Sequence, residues 1–274
     1  MHAPAMAACP DIDFVGVWTR RPAAAEALAK RYGVQPFEQF HDLLTRCDAV
    51  SFAVPPTVQS ELAGLAARHG RSVLLEVPIG WDIAGSEALA KDVIAAGVAS
   101  QVAFSWHYIE TVRQFLQTQA ANTETLGARG RIVRADPHPR RETSQWRLER
   151  GVLFDPGPHV CEFLDAALGP IVGVEADQEL SGSVSLKMEH QLGRSSESFL
   201  GSDTGTDQDR AEFEFYGPGD STFVDCSGGV ADYARMFAEF ARAVRTGAPH
   251  ELDVRRGLHI QRVIEAADTD LLGG

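Results

Sequence analysis

No stretch of this sequence approaches the roughly 20 consecutive apolar residues that a membrane-crossing helix requires; runs such as "DAVSFAVPP" fall far short of it. Positive charge is also scarce, with 25 Lys and Arg against 38 Asp and Glu, a formal net charge of −13. Binding along a polyanion needs a clustered cationic excess, so neither a nucleic acid nor a membrane is expected as a partner. Cysteine is sparse. Cys9, Cys47, Cys161 and Cys226 lie far apart and form no CxxC pair, which argues against a disulfide frame and a zinc site and for reduced, buried or half-buried thiols. No metal site is expected. The opening "MHAPAMAACP" has neither a basic leader nor a long apolar core, so it does not read as a secretory signal, and a cytoplasmic location is expected.

The chain has 274 residues, 44% of them hydrophobic and 23% charged, enough for one large or two modest domains with real cores. Its first hundred residues alternate strand and helix patterns, the order that builds a parallel sheet. "DFVGVWT", "DAVSFAVP", "SVLLEVP" and "SQVAFS" read as strands, and their continuous apolar runs suit strands buried on both faces. "PAAAEALAKRYG", "TVQSELAGLAARHG" and "SEALAKDVIAAG" read as the intervening helices, the first opened by Pro22 and closed by Gly33.

Beyond Ser105 the texture changes. A helix "TVRQFLQTQAAN" leads to a strand "RGRIVRAD" and a basic, proline-marked stretch "PHPRRETSQWR"; later segments such as "AEFEFYG" alternate apolar and polar, the mark of an antiparallel sheet with one face packed. Two helices close the chain, around "YARMFAEFARAVRTG" and "VRRGLHIQRVIEAAD", and the polar "GRSSESFLGSDTGTDQD" reads as a mobile loop or hairpin. The expected domains are 1–105 and 106–274.

"FDPGPHVCEFLDAALGP" carries the clearest chemical pattern. Asp155 stands at an expected N-cap, Pro156 at the first helical position, and Gly169 with Pro170 at the end. Val160, Phe163, Leu164, Ala167 and Leu168 form a helical apolar stripe, which places Asp155, His159 and Glu162 together on the opposite face. An acid beside an imidazole can orient the ring and tune it for general acid/base work. The spacing equally allows Asp155 to be a plain helix cap and His159 a surface residue; a metal held by the pair lacks a third ligand.

These segments together, in this order, resemble the Gfo/Idh/MocA oxidoreductases, the family of glucose-fructose oxidoreductase and inositol dehydrogenase. "DAVSFAVPP" is similar to the strand and Pro turn under the nicotinamide, "GRSVLLEVPIG" to the GKHVxxEKP segment, "FSWHYIETVR" to the arm that opens the second domain, and "GVLFDPGPH" to the GGxLxDxGxH element. The resemblance implies a doubly wound, Rossmann-like parallel sheet followed by an α+β domain with an open, mostly antiparallel sheet that binds substrate and mediates a homo-oligomer, a dimer or tetramer. It implies a nicotinamide cofactor and a sugar, cyclitol or related polyol as substrate. By position, Asp155 and His159 would be the acid/base pair, Pro55, Glu76 and Pro78 would lie on the cofactor side, and His107, Trp146 and Arg147 on the substrate side. At the end of the first strand the family often has an acid for the ribose diol. Here Thr19, Arg20 and Arg21 follow "DFVGVW", so NADP is favoured over NAD.

Three positions depart from that pattern. Val77 stands where the family has the lysine beside Glu76, His107 where the arm often has arginine, and Gln59 where a histidine frequently follows the Pro turn. The first strand and its GxGxxG loop are not in the sequence, whose opening reads as the inside of the first helix. The parallel sheet is thus expected to be N-terminally incomplete and dinucleotide binding weak, because that loop is the phosphate cradle. Glu76, without a lysine, is expected to be structural. Two readings follow: an NAD(P)-dependent oxidoreductase, or a catalytically impaired relative that binds a sugar-like ligand or a partner without turnover.

Overall fold

The computed structural model describes residues 1–119, 122, 124–135, 144–203 and 208–273; most of the basic stretch, 137–143, lies outside them. The chain divides into two compact units, 1–103 with 233–258, and 104–232 with 259–274.

In the first unit the order is α1 (His2–Ala8), β1 (Gly16–Trp18), α2 (Pro22–Tyr32), β2 (Gln35–Phe37), α3 (Phe40–Leu44), β3 (Ala49–Ser51), α4 (Pro56–Arg68), β4 (Ser72–Leu75), α5 (Ile83–Ala96) and β5 (Ser100–Val102). Local chemistry sets these limits. Pro22 opens α2, and Gly33 ends it in the left-handed region at φ 67°, where a side chain would be strained. The Asp82 carboxylate accepts from the Gly85 N–H and caps α5. In β4, Val73, Leu74 and Leu75 are 0% exposed, as expected for a strand covered on both faces.

The strands are parallel but form two sheets. β3, β4 and β5 make one, with Val73 opposite Val50 and Ser100; β1 and β2 make the other, with Val17 opposite Pro36. Pro36 has no N–H to give to a ladder, so β2 suits an edge. The opening of the chain is a short helix and supplies no strand between the two sheets.

The second unit contains α6 (Glu110–Gln119), β6 (Gly127–Ala135), α7 (Gln145–Phe154), α8 (Gly157–Leu168), β7 (Ile171–Gln178), β8 (Val184–His190), β9 (Ser195–Asp203), β10 (Arg210–Tyr216) and β11 (Ser221–Asp225). The six strands form one sheet in the order β11-β10-β6-β9-β8-β7, antiparallel except for the parallel β6/β9 pair. One row crosses its middle: Phe213, Gly130, Ser198 and Leu186. Gly130 is required there, since a Cβ would lie 2.6 Å from the Phe213 ring. Phe163 of α8 packs edge-on against Phe213 at 4.8 Å between ring centres. The other face exposes Arg129, Arg131, Lys187, Glu197 and Glu212. α9 (Tyr233–Thr246) returns to the first unit, and α10 (Val254–Gly273) is divided between the two at residue 258.

Two sequence expectations are corrected. The polar stretch 193–209 is no loop over most of its length, because β9 fills the sheet between β6 and β8. Its inward residues Ser196, Ser198 and Leu200 are buried; serines hide the alternation from a hydropathy reading, and the Ser196 hydroxyl is bonded to His190 Nε2 at 2.8 Å. Helix α8 begins at Gly157 with Pro156 as its cap residue, one position later than Asp155 as cap would give. Leu200→Ala should therefore cost about 2–5 kcal/mol, as for a core leucine, read as a lowered urea midpoint. A loop residue at that place would shift stability within about 0.5 kcal/mol.

Candidate functional site

In a parallel sheet the carboxyl ends of the strands are where ligands gather. In the first unit, β4 ends at Leu75 and delivers Glu76 there. The turn that follows is held by one side chain. Gln59 of α4, wholly buried, accepts from the Glu76 N–H at 2.8 Å and aims its amide nitrogen at the carbonyls of Glu76, Pro78 and Ile79, at 2.8, 3.2 and 3.2 Å. A glutamine satisfies both kinds of backbone group at once because it carries an acceptor and a donor on one rigid amide. Pro78 is thus fixed by its carbonyl, and Val77 beside it is buried, with no charge to offer.

Glu76 has a close side-chain neighbour from the start of the chain. His2 Nε2 lies 2.8 Å from its carboxylate, and His2 Nδ1 lies 2.7 Å from the Ser51 hydroxyl at the end of β3. The imidazole is buried, edge-on to Phe237 at 5.6 Å between ring centres. Burial first, and the Glu76 charge second, push the Tyr233 phenol up to about 12. Nothing in the sequence flagged His2, which is separated from Glu76 by most of the unit's length.

The ends of β1 and β3 open into a cavity of about 950 Å³, lined among others by Thr19, Arg20, Arg21 and Pro55. Both arginines are exposed. The Thr19 hydroxyl donates to the Arg21 carbonyl at 2.7 Å and so shapes the turn that presents them. Polar groups of this kind fit the ribose side of a dinucleotide; Asp11, Asp13 and Asp48 line the same cavity. The phosphate cradle is not among these residues: the sequence has no GxGxxG, and α1 is a seven-residue helix. Among the described residues no group of three His, Cys, Asp or Glu could hold a metal ion.

In the second unit the residues singled out form two clusters. His159, in the first turn of α8, is half-buried and stacked on Trp106 at 5.7 Å between ring centres and 24° between planes. Phe104 meets the same ring edge-on at 6.4 Å. The adjacent His107 points instead to Glu162, whose carboxylate lies 2.5 Å from His107 Nε2. Glu162 is 1% exposed, which corrects its expected place on an open face; α8 is buried nearly all round, and this acid is stabilised by its imidazole partner. Trp106 and His107 thus pin the arm to α8 through a ring stack and an ion pair.

Asp155 does not orient His159. Among the described residues its carboxylate is bonded to Arg147 Nε at 2.7 Å and Arg134 Nη2 at 3.2 Å, and Arg134 continues to Asp209 at 3.0 Å. Arg147 also lies over the Trp146 ring, 4.4 Å from its centre. Asp155, Arg147 and Trp146 therefore stand together, while His159 stacks on Trp106.

One chain thus joins a parallel α/β unit to an open, mostly antiparallel sheet. Residues 1–104 match the Gfo/Idh/MocA family model, described as "Oxidoreductase family, NAD-binding Rossmann fold". The fold of the whole chain is shared with solved structures. GenD2 from gentamicin A biosynthesis, in complex with NAD, is 18% identical with a TM-score of 0.85 over 99% of this chain and 90% of its own. The UDP-N-acetylglucosamine 3-dehydrogenase GnnA from Acidithiobacillus ferrooxidans is 16% identical, TM-score 0.82, over 99% and 93%. KijD10, a 3-ketoreductase from Actinomadura kijaniata in complex with NADP, is 18% identical, TM-score 0.76, over 98% and 93%.

The rim of the first unit makes a spectroscopic prediction. The Tyr233 phenol should remain un-ionised well above pH 10 and titrate near 12, followed by phenolate absorbance. The folded value lies above the unfolded one, so stability should fall as pH rises from about 10 to about 12, where the unfolded chain loses that proton first. Glu76→Gln should lower the Tyr233 value only part of the way, because burial is the larger cause.

Proposed function

We propose that this protein is an NAD(P)-dependent oxidoreductase that moves hydride between the nicotinamide and a carbon of a sugar, cyclitol or related polyol, with NADP preferred. The observation that carries the reading is the match of residues 1–104 to an NAD-binding oxidoreductase family. The fold is also shared with a sugar-nucleotide 3-dehydrogenase and a 3-ketoreductase. The bound nicotinamide supplies the hydride acceptor, which no amino-acid side chain provides.

The chain's own residues supply the rest. His159 takes the hydroxyl proton of the substrate, its ring held by Trp106 at the half-buried start of α8. Asp155 fixes Arg147 against the buried Trp146 ring, which leaves the half-exposed guanidinium as the group offered to a hydroxylated ring. His107 positions the arm through Glu162. Arg20 and Arg21 take the 2′-phosphate. The outer face of the six-stranded sheet, which carries the exposed Phe223 among its charges, serves a homo-oligomer, a dimer or tetramer.

Steady-state NADPH formation across a panel of sugars and cyclitols tests the reading. His159→Asn should lower turnover about 10²- to 10⁴-fold and leave the melting temperature nearly unchanged. Calorimetry should show NADPH binding about tenfold more tightly than NADH, with Arg21→Ala removing the difference. Normal turnover in the His159 variant would overturn the acid/base assignment, and equal affinities in the parent would overturn the preference.

A further inference from the structure

Two histidines of the first unit meet away from the rim. His41, on α3, and His69, which ends α4, have ring centres 5.2 Å apart and planes inclined at 77°. Both are exposed. Other histidines keep different company: His2, His107, His250 and His259 lie on carboxylates, and His190 is held by the Gly169 carbonyl and the Ser196 hydroxyl. Among the described residues, His41 and His69 are the pair in which one imidazole faces another.

An imidazole binds a metal ion through a lone pair lying in the ring plane, so an ion shared by two rings must sit where their planes cross. Parallel rings have no such line, and rings inclined at 77° do. With a Zn–N distance of about 2.0–2.1 Å each ring centre stands ~3.2 Å from the ion, and a tetrahedral angle of ~109° sets the two centres ~5.2 Å apart. The observed separation is 5.2 Å. The tautomer suits a ligand too. His69 Nδ1 lies 2.9 Å from the Leu65 carbonyl, which can only accept, so Nδ1 carries the hydrogen and Nε2 keeps its lone pair. A backbone carbonyl on the second nitrogen is a common way of orienting a ligating histidine. The His69 N–H is itself bonded to the Leu65 and Ala66 carbonyls, both at 3.1 Å, which anchors this residue to the last turn of α4. The net charge of −13 draws cations to the chain.

We propose that His41 and His69 form a two-histidine site for a transition-metal dication of the zinc, copper or nickel class, with water in the remaining positions. Imidazole nitrogen selects these ions over magnesium and calcium, which take oxygen. Exposure of both rings leaves room for the waters, and two protein ligands keep the ion exchangeable, with a Kd on the order of 10–100 μM. The bound ion ties α3 to the end of α4. Neither histidine lines the cavity of about 950 Å³, and the inference does not rest on the oxidoreductase reading.

The test is calorimetry of the full chain with zinc chloride in a non-chelating buffer. One ion should bind per chain in that range, and magnesium chloride should give no heat of binding. His41→Ala and His69→Ala should each weaken zinc binding at least about tenfold. His41→Phe separates a metal ligand from a plain ring contact: it keeps an aromatic ring beside His69, so stability without zinc should hold while zinc binding falls as in the alanine variants. In the parent, zinc should shift the imidazole resonances of His41 and His69 before those of other histidines. No saturable binding below about 1 mM, unchanged affinity in both alanine variants, or shifts confined to other histidines would overturn the proposal. One ion per two chains would overturn it as well, by showing that the two ligands come from different copies. Both side chains are exposed, so the variants should fold; if one does not, the resonances of the parent decide.

Discussion

A parallel strand cannot be satisfied by its neighbours in sequence, because the chain must leave the sheet and cross back before the next strand lies beside it. Everything in the first unit depends on that constraint. β3, β4 and β5 meet it as a run in which the central strand has partners on both sides and excludes water from Val73, Leu74 and Leu75. β1 and β2 meet it only with each other. The helices between the strands are each held by a short apolar face, Ala25 and Ala29 in α2 being typical, so they follow the strands and cannot substitute for their hydrogen bonds.

The rim shows how polar groups are satisfied once strands end. Past Leu75 no ladder continues along β4, and the Gln59 amide takes over backbone groups of Glu76, Pro78 and Ile79. That leaves the Glu76 side chain to carry the electrostatics. Its carboxylate lies beside Nε2 of the buried His2 ring, whose Nδ1 is bonded to the Ser51 hydroxyl, so the ends of two strands meet around one imidazole. Val77 is apolar and buried, and the polar neighbour of Glu76 here is a ring from the start of the chain. The aromatic wall of Phe237 keeps that ring in place.

How much of this was legible depended on range in sequence. Helices with a proline at the start and a glycine at the end, such as Pro22 to Gly33, declare themselves locally, because each terminal residue answers a local backbone need. The apolar strands were legible for the same reason. β9 was not: Ser196 and Ser198 face the core, where partners on other strands and helices satisfy or cover them, and those partners have no trace in the local pattern. β2 is only three residues with a proline at its centre. In the site, the residue types and the turn of α8 were readable, while the pairing was not. Helical spacing put Asp155, His159 and Glu162 on one face, but a helix buried nearly all round has no single open face to read.

The consequence is a difference between two histidines: helical spacing placed acids near His159, whereas the partner of His107 comes from 55 residues away. Burial accounts for the second pairing. The Glu162 carboxylate, out of water, needs a compensating partner, and His107 supplies it; neither group can then be spared for proton transfer without leaving the other stranded. His159 is instead stacked on Trp106 at the half-buried start of α8, and Asp155 pairs with Arg147 and Arg134, so the acids of this segment are met by different parts of the chain: Glu162 by the ring of His107, and Asp155 by guanidinium groups.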